Sequence, residues 1–480
     1  MRKTSLDQSE RVAAPASTPE PQRWRTLQRA GARALLPITM LLFATSLRYY
    51  IAGDGMDRYR ELQALLSHGV LSAGKYSLIG PLFSTPLYLL GAALGSSEVG
   101  IVFFNVLLFL AGLLILRAFL RPLLDERTLR VFLLLLLVGS MFPTAAASYY
   151  GEMYTAIFVA VGLVTAIVGR RVTRGFGWTA IALGVANTPA TLVGLALALA
   201  HHLWSTRRLR YVIVGVATAA LILGEAFLRR GSIFATGYAH YTEPATILNF
   251  NFGPGFSYPV FFGLLGTFLS FGKGLIFFTP ALFLPIRQRL AALGENGRTL
   301  ATIYTLWMLF LAGMVIVYVK WWGWSGDWYW GPRFYLIACV PASFALALWT
   351  QRPSRTLWVN LLALGVLALT LWIGLDSAVF GLSNLAICGR SYYYDPICQF
   401  TPMYSPLWRP LSALYQLGFT QRYVDAELQY GVTSLGFALV SPIAGLYIAY
   451  PLLKTTWSQT RALLPSRAVA LAALRRGWRW

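Results

Sequence analysis

Apolar runs such as "FFNVLLFLAGLLILRAFL" at 103–120 and "VFLLLLLVGSMFPTAAAS" at 131–148 leave a chain few choices. About 20 such residues, when helical, match the hydrocarbon thickness of a bilayer. A helix also satisfies its own backbone hydrogen bonds where no water can reach them. Runs of this kind recur along the 480 residues, of which 57% are hydrophobic and only 12% charged. That composition excludes a water-soluble globule and points to a polytopic membrane protein.

The spans read from hydropathy and breakers are 33–52, 98–120, 129–149, 152–169, a hairpin within 176–203, 211–230, 274–286, 299–319, 333–350, 357–376 and 431–452. The expected fold class is therefore all-α, with about 12 transmembrane helices (11–13) and helices lying along the outer face. The hairpin follows from charge: "FGWTAIALGVANTPATLVGLALALAHHLW" is flanked by "RRVTR" and "RRLR". Both flanks favour the cytoplasm, so the segment should enter and turn back at Asn187-Thr188-Pro189 as two half-length helices. One Pro-kinked helix with a basic loop outside is the alternative. The segments 71–97 and 244–273 are too apolar for ordinary loops and too interrupted by Gly and Pro to span, which suits helices in the outer interface.

Four regions result. Residues 1–28 form a polar, Pro-rich cytoplasmic arm expected to be disordered, with no small-residue cleavage site after it. Residues 29–376 form the membrane core, including outer loop helices 53–97 and 231–273. Residues 377–430 make an exterior loop region, and 431–480 hold the last transmembrane helix and a basic tail.

The net charge of +22 comes from 40 Lys and Arg against 18 Asp and Glu. In this threading most basic residues fall in the arm, the short loops and the tail, on one side of the membrane. That is the positive-inside pattern, not a nucleic-acid surface. Both termini are then cytoplasmic, in what the Arg-rich, Lys-poor usage suggests is a bacterial plasma (inner) membrane. Cys339 lies in an apolar run and reads as core, whereas Cys388 and Cys398 share an exterior loop compatible with a disulfide. The four histidines show no zinc spacing.

Acids run the other way, toward the exterior. In "GDGMDRYRE", just past the first span, a helix would put Asp54, Asp57 and Glu61 on one face. Such acids also suit any helix start and could pair with Arg58 and Arg60. Glu152, in the turn "SYYGEMYT", sits among Tyr149, Tyr150 and Tyr154. A carboxylate at a membrane boundary is costly unless paired, so it is a functional candidate. The third feature is "KWWGWSGDWYWGPRF", with Lys320, Asp327 and Arg333 among five Trp. An aromatic belt explains the tryptophans, but a Gly-Pro-Arg opening the next span aims a guanidinium fork at the headgroup zone, where it suits phosphate. Lys273 in "SFGKGLIFFTP" opens another inward-going segment. Three of only five lysines, Lys75, Lys273 and Lys320, thus fall on the exterior side, where an anionic lipid phosphate would partner them.

Together these motifs resemble the GT-C glycosyltransferases, in particular the bacterial branch related to protein O-mannosyltransferases and the aminoarabinose transferase of lipid A. The resemblance covers roughly 33–350. The family's Asp-Glu pair followed by Tyr is here "GDGMDRY", and 377–430 has no counterpart. The resemblance implies a polyprenyl-phosphate sugar donor, an inverting displacement on the exterior face and an acceptor hydroxyl on a glycan, glycolipid or protein. Mannose or arabinose is favoured as the sugar, although nothing in the spacing selects it. Polyprenyl phosphate leaves readily when cations receive its charge, so one carboxylate base suffices. Asp54 is the expected base and Asp57 the runner-up. Glu152 would orient the acceptor or share a divalent ion, Mg or Mn, with Asp54. Arg333 and Lys273 would hold the donor phosphate, with Lys75 and Lys320 in support. Tyr59, Tyr150, Trp324 and Asp327 would contact sugar or acceptor. Membrane lipids are partners and nucleic acid is not. The rival readings are a lipid or solute transporter, which would carry its charges at the midplane, and an O-antigen ligase or polymerase, against which the acidic outer turns count.

Overall fold

The computed structural model describes residues 22–235, 237, 255–326, 329–379, 399–402, 405–408 and 421–463. Helices dominate them, and the β pairing among them is one isolated parallel bridge between Tyr50 and Ser148. The first half runs α1 (Gln22–Ser46), α2 (Asp54–His68), α3 (Ile79–Phe83), α4 (Thr85–Ala93), α5 (Ser97–Ile101), α6 (Phe104–Leu120), α7 (Glu126–Val138), α8 (Phe142–Ala147) and α9 (Gly151–Val168). It continues with α10 (Arg171–Asn187), α11 (Leu192–Thr206), α12 (Val212–Arg230), α13 (Val260–Leu269), α14 (Leu275–Phe278), α15 (Arg287–Ala291), α16 (Gly294–Tyr318), α17 (Cys339–Gln351), α18 (Leu357–Val379) and α19 (Gln421–Leu463).

Among the described residues, 7 helical segments are long and apolar enough to cross a bilayer, from Ser97–Leu120 to Ser434–Leu463. The protein is an all-α membrane protein, and its described residues hold fewer continuous long helices than the 12 expected. Two of the differences have local causes. The expected span 129–149 breaks at Gly139 into α7 and α8, with Pro143 at the start of α8. The expected span 274–286 is not one helix: α14 stops after four residues and a 3-10 turn follows over Pro280–Phe283. Pro280 and Pro285 each lack the N–H that would continue the ladder. Asp327, Cys388, Cys398, most of 377–430, and the ends 1–21 and 464–480 lie outside the described residues.

The segment 176–203 turns back as two helices. Trp178 of α10 packs on His202 of α11 with ring centroids 5.3 Å apart, while the break at Thr188 lies far from both. The arms are longer than half-length, at 17 and 15 residues, or about 25 and 22 Å. Close approach of α9 and α10 uses small residues: Gly162 faces Gly177 and Ile181, and Gly184 faces Phe158.

Burial sorts the helices. In the Arg333–Gln351 segment 89% of the residues in its apolar 18-residue stretch are buried, whereas in Leu209–Arg230 only 22% are. Along α7, Val131 to Val138 are all buried within the core. Exposed side chains on the outer helices, among them Leu114, Ile213, Trp358 and Leu446, are large and apolar, as lipid contact requires and water would not allow. Cys339 is a buried free thiol in this core.

Candidate active site

The site forms where two connections run side by side. Tyr50 N donates to Ala147 O at 3.0 Å, which lays the link from α1 to α2 along the link from α8 to α9. Asn105 of α6 fixes the second link by donating from Nδ2 to Ser148 O at 2.5 Å and Tyr150 O at 3.0 Å. Gly53 adopts φ +50°, and a Cβ there would lie 2.6 Å from the Tyr150 hydroxyl; only glycine fits. Asp54 and Asp57 then occupy the first turn of α2, and Glu152 the first turn of α9, where the helix dipoles favour carboxylates.

Arg333 reaches these acids from a third direction. Gly331, at φ +67°, turns the chain so that Pro332 and Arg333 open the 3-10 segment Arg333–Ala338 leading into α17. Arg333 Nη1 lies 2.8 Å from Asp54 Oδ2 and Nε lies 3.6 Å from Glu152 Oε1. Its guanidinium carbon sits 5.1, 5.7 and 5.1 Å from the ring centres of Tyr150, Tyr329 and Phe334, within cation–π range. The side chain is 11% exposed, against 23% for Asp54 and 16% for Glu152. The Nε contact exceeds hydrogen-bond length, and this atom is buried without a hydrogen-bond partner.

Burial alone would raise the pKa of Asp54. The charge of Arg333, a hydrogen bond from Tyr76 and the charges of Lys75 and Arg58 outweigh it and hold the carboxyl below its ordinary value. Asp54 is therefore ionised at neutral pH. Burial pushes the hydroxyls of Tyr150 and Tyr329 up, so both remain protonated donors. Asp54 and Glu152 are the pair expected to share a divalent ion. Both face the guanidinium, and among the described residues no three His, Cys, Asp or Glu converge.

The other expected residues disperse. Asp57 pairs with Lys75 at 3.7 Å, with side chains 46% and 20% exposed, at the rim. Lys273 is 1% exposed, and its ammonium donates to the backbone carbonyls of Tyr329 and Gly331. Lys320 is exposed at the end of α16. The Tyr59 hydroxyl meets Ser97 Oγ at 2.8 Å in the core, and Trp324 is buried beside Tyr258 and Phe400. Of the expected sugar contacts that lie among the described residues, only Tyr150 touches Arg333. Glu61 leaves the expected acidic face and pairs with Arg229 at 2.8 Å.

Two solved structures are similar to this chain. They are crystal structures of ArnT from Cupriavidus metallidurans. The apo structure is 14% identical with a TM-score of 0.44, over 90% of this chain and 76% of that one. The structure bound to undecaprenyl phosphate is 15% identical with a TM-score of 0.45, over 90% of this chain and 77% of that one. No protein-family model and no curated protein matches the sequence.

Four further side chains complete the site. Arg58 is buried and donates from Nη1 to Ser77 O at 3.2 Å and Asn187 Oδ1 at 3.5 Å, with its guanidinium over Tyr76. Asn187, at the hairpin tip, donates from Nδ2 to Gly151 O at 2.9 Å and Thr155 Oγ1 at 3.1 Å, and accepts from Gly80 N at 3.1 Å. Tyr76 bonds Asp54, and Tyr329 packs edge-on against Tyr150 at 5.0 Å. The break signal at Asn187 was visible in the sequence. Its role as floor of the site was not, because it depends on partners more than 30 residues away.

Proposed function

We propose that this protein is a GT-C-type glycosyltransferase that moves a sugar from a polyprenyl phosphate to an acceptor hydroxyl. The observation that carries the reading is Arg333. A single guanidinium, ringed by tyrosines at the end of a membrane-crossing segment, faces two carboxylates and keeps an unsatisfied N–H. An anionic phosphate is a natural partner for such a group.

In this reading donor phosphate takes hydrogen bonds from Arg333 and loosens its hold on Asp54. The acceptor oxygen attacks the anomeric carbon, and the bond from that carbon to the phosphate oxygen breaks with inversion. Asp54 takes the acceptor's proton, and Arg333 stabilises the charge gathering on the departing phosphate. Glu152 orients the acceptor and returns to Arg333 between turnovers. Tyr150 and Tyr329 offer ring faces to the sugar, and Lys75 adds positive charge at the rim. Lys273 acts through the Tyr329–Gly331 backbone that it holds. The donor sugar is a hexose or pentose, mannose or arabinose first, and the acceptor is a glycan, glycolipid or protein on the exterior face of a bacterial inner membrane.

The test uses purified protein in lipid nanodiscs, supplied with polyprenyl phosphates carrying mannose, arabinose, glucose or galactose. Asp54→Asn should lower transfer by on the order of 10²–10⁴-fold while polyprenyl phosphate still binds. Full activity in that variant removes Asp54 as base. Full activity in an Asp54→Asn, Asp57→Asn double variant removes the mechanism.

A further inference from the structure

We infer that Asp376 is a positioning residue for Arg333, acting through the indole of Trp330. This rests on the phosphate-binding role proposed above for Arg333. Asp376 lies in α18 and is completely buried. An acid inside a membrane helix is costly and marks a specific task. Its Oδ2 accepts a hydrogen bond from Trp330 Nε1 at 3.0 Å, while Oδ1 is buried without a hydrogen-bond partner.

The carboxyl is a fixed point because its own backbone is anchored. The next residue, Ser377, accepts at Oγ from Thr144 N at 3.2 Å, and its carbonyl accepts from Thr144 Oγ1 at 2.7 Å. Two residues earlier, Gly374 lies directly on the Val138 carbonyl. Trp330 is equally constrained: it is 2% exposed, and its ring meets Phe278 edge-on at 5.3 Å. An indole N–H can only donate and needs an acceptor when buried.

From Trp330 the path to Arg333 is short and stiff. Gly331 is left-handed, Pro332 has a fixed φ, and Arg333 N donates to Gly331 O at 3.1 Å. Lys273 holds the carbonyls of Tyr329 and Gly331. The three residues before Pro332 are thus gripped by an ammonium on the backbone and a carboxyl on the side chain. A shift of the indole has no slack in which to dissipate before the guanidinium.

The test compares Asp376→Asn, which keeps an acceptor oxygen, with Asp376→Leu, which does not, and with Trp330→Phe, which removes the donor. Two readouts are taken in nanodiscs: binding of polyprenyl phosphate, and hydrogen–deuterium exchange over residues 329–336. Asp376→Leu and Trp330→Phe should weaken binding by about tenfold or more, and Asp376→Asn by about twofold or less. Exchange should rise in the first two variants and stay unchanged in the third. In an Arg333→Ala background, Asp376→Leu should cost no further affinity yet still raise exchange, a separation that a general loss of stability would not give. Unchanged exchange in Asp376→Leu, or Asp376→Asn as damaging as Asp376→Leu, overturns the inference. If wild-type protein does not bind polyprenyl phosphate, the transferase reading falls, and the exchange data alone decide whether the tether exists.

Discussion

Two arginines in this protein each hold two carboxylates, and they do it differently. Arg229 meets Glu61 at 2.8 Å and Glu225 at 2.9 Å, and it also donates to the carbonyls of Ser72 and Tyr76. Its side chain is 1% exposed. Glu225 completes the knot by accepting from Ser77 Oγ and Leu78 N, each at 2.7 Å. Arg333 meets Asp54 closely and Glu152 loosely, surrounds itself with ring faces, and is more open. Burial wins at Glu61, whose pKa is raised despite Arg229; charge wins at Asp54, whose pKa is lowered. The same residue types make a saturated strut in one place and a group with spare bonding capacity in the other. Unspent capacity, not charge, separates a site from a brace.

The sharpest way to break this contrast is to remove each arginine. Arg333→Ala should lower transfer by about 10²–10³-fold, with a smaller shift in unfolding midpoint than Arg229→Met causes. Arg229→Met leaves Glu61 and Glu225 unpaired and should cost about 3–5 kcal/mol of stability, read by thermal unfolding in detergent. Equal stability losses would erase the distinction. A subtler effect concerns pH. A base held below its ordinary pKa loses activity only as pH falls through that depressed value, so the acid limb of kcat/KM should lie below the unperturbed aspartate value of about 3.9. In the proposed reaction bound phosphate would draw Arg333 away and add negative charge, so the limb of kcat should lie higher. Coincident limbs would mean that donor and Asp54 do not share Arg333. Smallest of all, Asp57→Asn should change stability by less than about 1 kcal/mol, because its pair with Lys75 is half exposed, and should alter rate only a few-fold. Loss of activity there, with Asp54→Asn active, would transfer the base to Asp57.

The membrane character, the turn-back at Asn187 and the three motifs around Asp54, Glu152 and Arg333 were legible in the sequence, because hydropathy, charge flanks and turn residues are local signals. Which acids meet which cations was not. Asp54, Asp57 and Glu61 share a face by periodicity, yet they go to Arg333, Lys75 and Arg229 respectively. Those partners lie far along the chain, where spacing carries no information. Lys273 reads as a surface cation and is instead buried beneath the arginine turn, since nothing local distinguishes an ammonium aimed at phosphate from one aimed at carbonyls. The 274–286 segment misled through hydropathy alone, which counts Pro280 and Pro285 as tolerable while the helix ladder cannot.

Asn187 ties two separate pieces of chain with one amide: the first turns of α9, at Gly151 and Thr155, and the start of α3 at Gly80. In chain order the hairpin tip is made well before Arg333, which follows almost 150 residues later. Until then Arg58 and Lys75 are the cations near Asp54, and the contact that Asp54 and Glu152 share on Arg333 is not yet possible. In this order of synthesis, the guanidinium that joins the two acidic turns is the last member of the cluster to be made.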